Sequence, residues 1–148
     1  SALPYVDYLI VNEIEAGKVV GMTLHTAEGT DTAGCIDAAR TLLLRGVRQQ
    51  VVIHFTGGAV VADADGAITM QGSLNLPDGF IAGATGAGDA FAAGYLHGIH
   101  EAWSTSRRLQ LGVCAAAACL THPTPSGGLR PVPACLGLGE RHGYRPIN

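Results

Sequence analysis

No apolar run in this 148-residue chain reaches membrane-spanning length, and its opening carries no signal-peptide pattern. Lysine and arginine form no cluster and the net charge is −3, which argues against nucleic acid as the main partner. The four cysteines, Cys35, Cys114, Cys119 and Cys135, form neither a CxxC pair nor a paired-histidine zinc pattern. They read as reduced, buried thiols of a cytoplasmic protein. Charge is scarce at 14%, while 47% of the residues are hydrophobic and 21 are glycine. That balance excludes a disordered chain and suits one compact domain with close helix–sheet packing. No internal repeat is visible.

What the chain does have is a glycine-rich entrance to a small-residue helix, GATGAGDAFAAGYLHG over residues 83–98. Glycines there leave the first-turn N–H groups unobstructed by Cβ atoms. Those donors and the positive end of the helix dipole make an anion site suited to a nucleotide phosphate. Gly83 and Gly88 have the spacing of a Walker A loop, but Asp89 stands where its lysine belongs. A dinucleotide fingerprint fails as well, because Phe91 occupies the place of the third glycine after Gly86 and Gly88. A carboxylate beside an anion hole is suited instead to taking the proton of a hydroxyl as its oxygen attacks a phosphorus held by the N–H groups. The simpler alternative is that Asp89 caps the helix or favours its dipole.

The rest of the chain alternates strand and helix. Tyr8 to Val11 is a short apolar strand, and Asn12 follows as a natural N-cap with Glu15 at the capping-box offset. Glu13, between them, is expected to be solvated. Ile36, Ala39, Leu42, Leu43 and Val47 recur near helical period, with Arg40 and Arg45 outward and Gly46 as the stop. Val51 to Ile53 opens a β-rich run that resumes at Ala59 to Ala62 beyond Thr56, Gly57 and Gly58. This pattern predicts an α/β fold with a mostly parallel sheet. His54 reads as a hydrogen-bonded wall residue. Asp63 to Gly66 is a hairpin-turn signal, Ile68 to Leu76 a returning strand, and Pro77 to Gly79 a turn. Ser104 to Leu120 reads as a helix capped by Ser104 or Ser106, with an alanine run whose first explanation is close packing. From Pro123 onward the Pro- and Gly-rich chain predicts a loop and a packed or frayed tail.

The segment TGAGDAFAAG closely resembles the C-terminal signature of ribokinase-like sugar kinases, the phosphofructokinase-B family. The resemblance implies a Rossmann-type three-layer α/β sandwich, with Gly86, Ala87 and Gly88 as the anion hole and Asp89 as the catalytic base. It implies that Asn12 and Glu15 match the family's NxxE motif, which holds Mg²⁺ through its waters. The family's phosphate-lining TxGxxG is broken here, with Gly57 and Gly58 the residues that restore the loop's freedom. Thr85 joins the nucleotide-binding set. So do Ala117, His122 and Gly128, on the helix and loop that wall the adenine pocket in relatives. Gly83 and Ala84 stand where relatives carry Asp-Thr, which leaves potassium activation without its usual pair.

The resemblance covers nearly all of this chain but only the C-terminal half of the family. Residues 1–148 are therefore expected to form the nucleotide-binding and catalytic part, without the sugar-binding half and its β lid. The expectation is a truncation, a proteolytic fragment or a natural half-kinase, with self-association or the missing half as partner. The implied reaction moves the γ-phosphoryl group of ATP to a hydroxyl of a sugar or sugar-like substrate, with no membrane or nucleic acid involved. A nucleoside, hydroxymethylpyrimidine or pyridoxal kinase of the same fold, or a non-catalytic nucleotide-binding fragment, are the alternatives.

Overall fold

The computed structural model describes residues 1–80, 86–121 and 131–147. Two units divide the chain: Ser1–Met70 together with Ile147, and Gln71–Pro146. No helix among the described residues is long and apolar enough to cross a membrane.

The first unit begins with β1 (Tyr8–Asn12), whose apolar run leads directly into α1 (Glu13–Val20). A left-handed Gly21 (φ +76°) ends α1. A two-stranded hairpin follows, β2 (His25–Thr26) and β3 (Gly29–Thr30), too short and polar to have shown in the sequence pattern. Asp31 then caps α2 (Thr32–Leu44) by accepting the Gly34 N–H at 2.9 Å. The buried stripe Cys35, Ala38, Ala39 and Leu42 follows helical period, while Arg40 and Arg45 face solvent as expected. Gly46 at φ +125° makes the stop, and a Cβ there would lie 2.8 Å from the Pro4 ring.

β4 (Gln50–Phe55) pairs in parallel with β1, in a register that sets Asn12 opposite His54. Thr56 and Gly57 then turn the chain tightly into β5 (Gly58–Asp63), which runs antiparallel to β4. The α/β class is as expected, and the parallel pairing lies at β1–β4. Asp63–Gly66 forms the expected hairpin turn, with Gly66 at φ +97° and the Asp65 carboxylate accepting the Ala67 N–H. It leads to β6 (Ile68–Gly72), giving the sheet order β1-β4-β5-β6. Val51, Ile53, Val60 and Ala62 pack with the α2 stripe, while Val52 and Val61 on the opposite face are fully buried too. Burial on both faces explains why these strands read as continuous apolar runs.

The second unit is helical. α3 (Ala87–His100) packs on α4 (Thr105–Leu120), and α4 on α5 (Val132–His142). Ser104 caps α4 by accepting the Arg107 N–H. Small residues let α3 and α4 approach closely. A Cβ on Gly94 would lie 3.0 Å from the Leu111 carbonyl oxygen, and one on Gly112 only 2.8 Å from the Phe91 ring. Phe91 is itself buried and stacked on Tyr95.

Two sequence expectations need correction here. The returning strand ends at Gly72 rather than continuing to Leu76, where Leu74 makes only an isolated bridge to Tyr144. The Pro- and Gly-rich tail contains a helix, α5, over residues read as loop or frayed chain. Its prolines fall in the first turn, where a missing N–H costs little. Cys135, Leu138 and Gly139 form its buried stripe, with Gly139 close against Tyr144 and Cys114. Packing against α4 supplies what helix propensity withholds.

All four cysteines are buried free thiols, as expected. Burial pushes the Cys35 thiol up to about 12, with the Glu13 and Asp31 charges adding to the effect. Burial likewise raises the Cys114 thiol and, foremost among its causes, the Tyr144 hydroxyl. The fold therefore favours the neutral forms. The contribution of Cys35 to stability is full below about pH 9 and is lost as pH rises toward 12. Urea unfolding across that range is expected to show declining stability, with a shallower decline in Cys35→Ala. In the second unit, Gly112→Ala gains about 1 kcal/mol of helix propensity but incurs about 1–3 kcal/mol of overpacking against Phe91. A net loss of stability is expected in urea unfolding.

Candidate functional site

The entrance of α3 is built by conformation rather than by side chains. Gly86 is the N-cap residue at φ +86° and ψ −2°, a left-handed conformation that suits glycine. It offers no side-chain hydrogen bond to the helix. The first-turn residues Ala87, Gly88 and Asp89 thus begin a helix whose leading N–H groups receive no side-chain cap from the N-cap residue. Asp89 is the third helical residue and is exposed. It is therefore not the cap, although the helix dipole favours its charge at that position. Donors able to hold an anion and a carboxylate able to accept a proton lie within one turn of each other. Thr85 lies outside the described residues.

A second group lies in the other unit, where β1 gives way to α1. Asn12 Oδ1 accepts the Glu15 N–H at 2.8 Å, and Glu15 Oε2 accepts the Asn12 N–H at 3.0 Å, a complete capping box. The two residues are thus brought together, as their spacing predicted. The box occupies one carboxylate oxygen; Glu15 Oε1 has no partner among the described residues, and the side chain is exposed. No group of three or more His, Cys, Asp or Glu among the described residues is arranged to hold a metal. The donor set therefore does not suit direct encapsulation. It does suit a hydrated Mg²⁺, which keeps most of its waters and takes its other oxygens from substrate phosphates.

Parallel pairing brings the carboxyl ends of β1 and β4 side by side, so the capping box and the Thr56–Gly57 turn share one edge of the sheet. Ligands of open α/β sheets bind at such carboxyl edges. Gly57 lies in the turn, where a Cβ would meet only the Phe55 ring at 3.7 Å, and Gly58 opens β5 opposite Phe55. Ala117, by contrast, is buried in α4, while Ala115 and Ala116 are half-exposed. His122 and Gly128 lie outside the described residues.

Glu13 corrects the sequence reading. It was expected in solvent but is only 7% exposed, with Oε1 3.2 Å from His25 Nδ1. Nothing in its sequence environment signals this, because the partner arrives from the β2–β3 hairpin, 12 positions along the chain.

Comparison with known proteins bears on the family and the fold. A family model described as "pfkB family carbohydrate kinase" matches residues 1–130. No curated protein matches the chain. Among solved structures, an Arabidopsis thaliana ribokinase complexed with ribose and ATP is 24% identical, with a TM-score of 0.77 over 92% of this chain. An Escherichia coli protein solved with ATP and Mg²⁺ is 21% identical, with a TM-score of 0.76 over 95% of this chain. A Burkholderia thailandensis nucleoside kinase in complex with inosine is also 21% identical, with a TM-score of 0.71 over 98%. The chain spans only 41%, 41% and 44% of those three chains, respectively. On the match over residues 1–130, which is most of its length, this chain belongs to the pfkB family of carbohydrate kinases.

Proposed function

We propose that this chain is the nucleotide-binding and phosphoryl-transfer part of a kinase that moves the γ-phosphoryl group of ATP to a hydroxyl of a sugar or sugar-like substrate. The observation that carries the reading is the entrance of α3, where left-handed Gly86 gives no side-chain cap and exposed Asp89 lies within the first turn. The first-turn N–H groups of Ala87 and Gly88, next to the left-handed Gly86, stabilise charge on the transferring group. Asp89 orients the acceptor hydroxyl and takes its proton, late in a loose transition state that needs little earlier help from a base. Asn12 and Glu15 hold the waters of Mg²⁺, and Gly57 and Gly58 offer backbone near the phosphates. Thr85, Ala117, His122 and Gly128 complete the proposed nucleotide set. Bound Mg²⁺ supplies the positive charge that phosphate oxygens require.

A nucleoside acceptor is the second reading, favoured by the likeness to a kinase solved with inosine. ADP release by the whole protein, measured against a panel of sugars and nucleosides, separates the two. For the chemistry, Asp89→Asn is expected to lower turnover about 10²–10⁴-fold with nucleotide affinity nearly unchanged. Substantial residual turnover overturns the base role.

Glu15→Gln tests whether the capping box is only a cap. Glutamine satisfies the box as glutamate does, so thermal stability is expected to hold. The charge is lost, so the Mg²⁺ concentration for half-maximal turnover is expected to rise. An unchanged Mg²⁺ requirement leaves Asn12 and Glu15 with a purely structural role.

A further inference from the structure

Glu13 immediately follows Asn12 and is the first residue of α1, yet its carboxylate turns away from solvent. A buried carboxylate is costly unless an opposite charge or hydrogen-bond donor meets it. The α1 dipole contributes in part. The specific partner is His25, whose Nδ1 lies 3.2 Å from Glu13 Oε1 and whose side chain is 47% exposed. Thr30 Oγ1, across the hairpin, lies 3.5 Å from the same ring nitrogen. The adjoining residue, Leu24, is 2% exposed, and Cβ atoms on Gly17 of α1 and Gly34 of α2 would both come within 3.6 Å of it. The segment between α1 and α2 is therefore held at two successive residues. Leu24 holds it by packing, and His25 holds it by a polar contact to the first residue of α1.

We infer that Glu13 and His25 form a positioning pair for the Asn12–Glu15 motif, a role that rests on the magnesium reading proposed above. Asn12, Glu13 and Glu15 share the first turn of one short helix, eight residues long. A side chain anchored at residue 13 restricts the rotation and fraying of that turn. With the turn fixed, Glu15 Oε1 keeps one direction, as a carboxylate that holds metal-bound water requires. Outer partners of this kind change metal affinity although they touch no metal. The Leu24 contacts remain when His25 is changed, so the polar contact can be removed without unpacking the segment.

The test is Mn²⁺ binding, followed by electron paramagnetic resonance, to the whole protein saturated with a non-hydrolysable ATP analogue. Melting temperature is recorded in parallel. His25→Ala is expected to weaken Mn²⁺ binding about tenfold, and His25→Asn, whose amide nitrogen takes the place of Nδ1, to recover it to within about twofold of the parent. Parental Mn²⁺ affinity in His25→Ala, whatever its melting temperature, overturns the inference. Equal loss in His25→Ala and His25→Asn overturns it too, since the polar contact is then not the cause. If Glu15→Gln weakens Mn²⁺ binding while His25→Ala does not, the magnesium reading stands and the positioning pair falls. If the parent protein takes up no Mn²⁺ beside the nucleotide analogue, both fall together.

Discussion

The second unit depends on how closely α3 and α4 can approach. Gly94 meets the backbone at Leu111 and Gly112, Gly98 meets Arg108, and Gly112 meets the Phe91 ring. Each contact leaves no room for a Cβ without displacing a neighbour. Phe91 lies two residues beyond Asp89, so the packing that fixes the ring also fixes the first turn of α3. A helix entrance can offer its N–H groups to an anion only if it does not move to meet solvent instead. The glycines of this stretch therefore do two physically different things. Gly86 supplies a left-handed backbone at the entrance, whereas Gly94 and Gly98 supply absence of bulk on the packed face.

Much of this was legible because it is local. The Asn12–Glu15 box, the Asp65–Gly66 turn, the Gly46 stop and the Ser104 cap are each decided by residues a few positions apart, and each is present. The helix that follows the signature stretch was legible for the same reason. What escaped depends on distant partners. α5 carries prolines at its start and glycines within it, and only Cys135, Leu138 and Gly139 packed against α4 make it a helix. The inward turn of Glu13 depends on His25, which a hairpin of two-residue strands presents. Neither propensity nor periodicity contains that information. Ala117 shows the same limit in reverse: an alanine run predicts closeness, and the structure buries this member of it.

The capping box and the magnesium role are compatible accounts of Asn12 and Glu15. The box uses Asn12 Oδ1 and Glu15 Oε2, which leaves Glu15 Oε1 on an exposed residue without a partner among the described residues. A carboxylate already held by one oxygen has lost much of its rotamer freedom, so directing the other oxygen at metal-bound water costs little further entropy. The cap thus prepares the residue for the proposed function. What separates the two accounts is charge, because a cap needs only an acceptor and a hydrated cation needs an anion.

The two units also divide the proposed electrostatics. The first presents carboxylate oxygen at the carboxyl edge of parallel strands, suited to a hydrated cation. The second presents a helix entrance whose N-cap, Gly86, has no side chain to bond the first-turn N–H groups, which suits phosphate oxygen. The proposed phosphoryl transfer calls on both kinds of stabilisation as charge moves onto the leaving oxygens. Neither feature alone distinguishes a catalyst from an ordinary capped helix. In the proposed reading the difference is Asp89, an exposed carboxylate at the third helical position of α3. There it adds a base beside an anion site, the combination on which the proposed transfer to a hydroxyl rests.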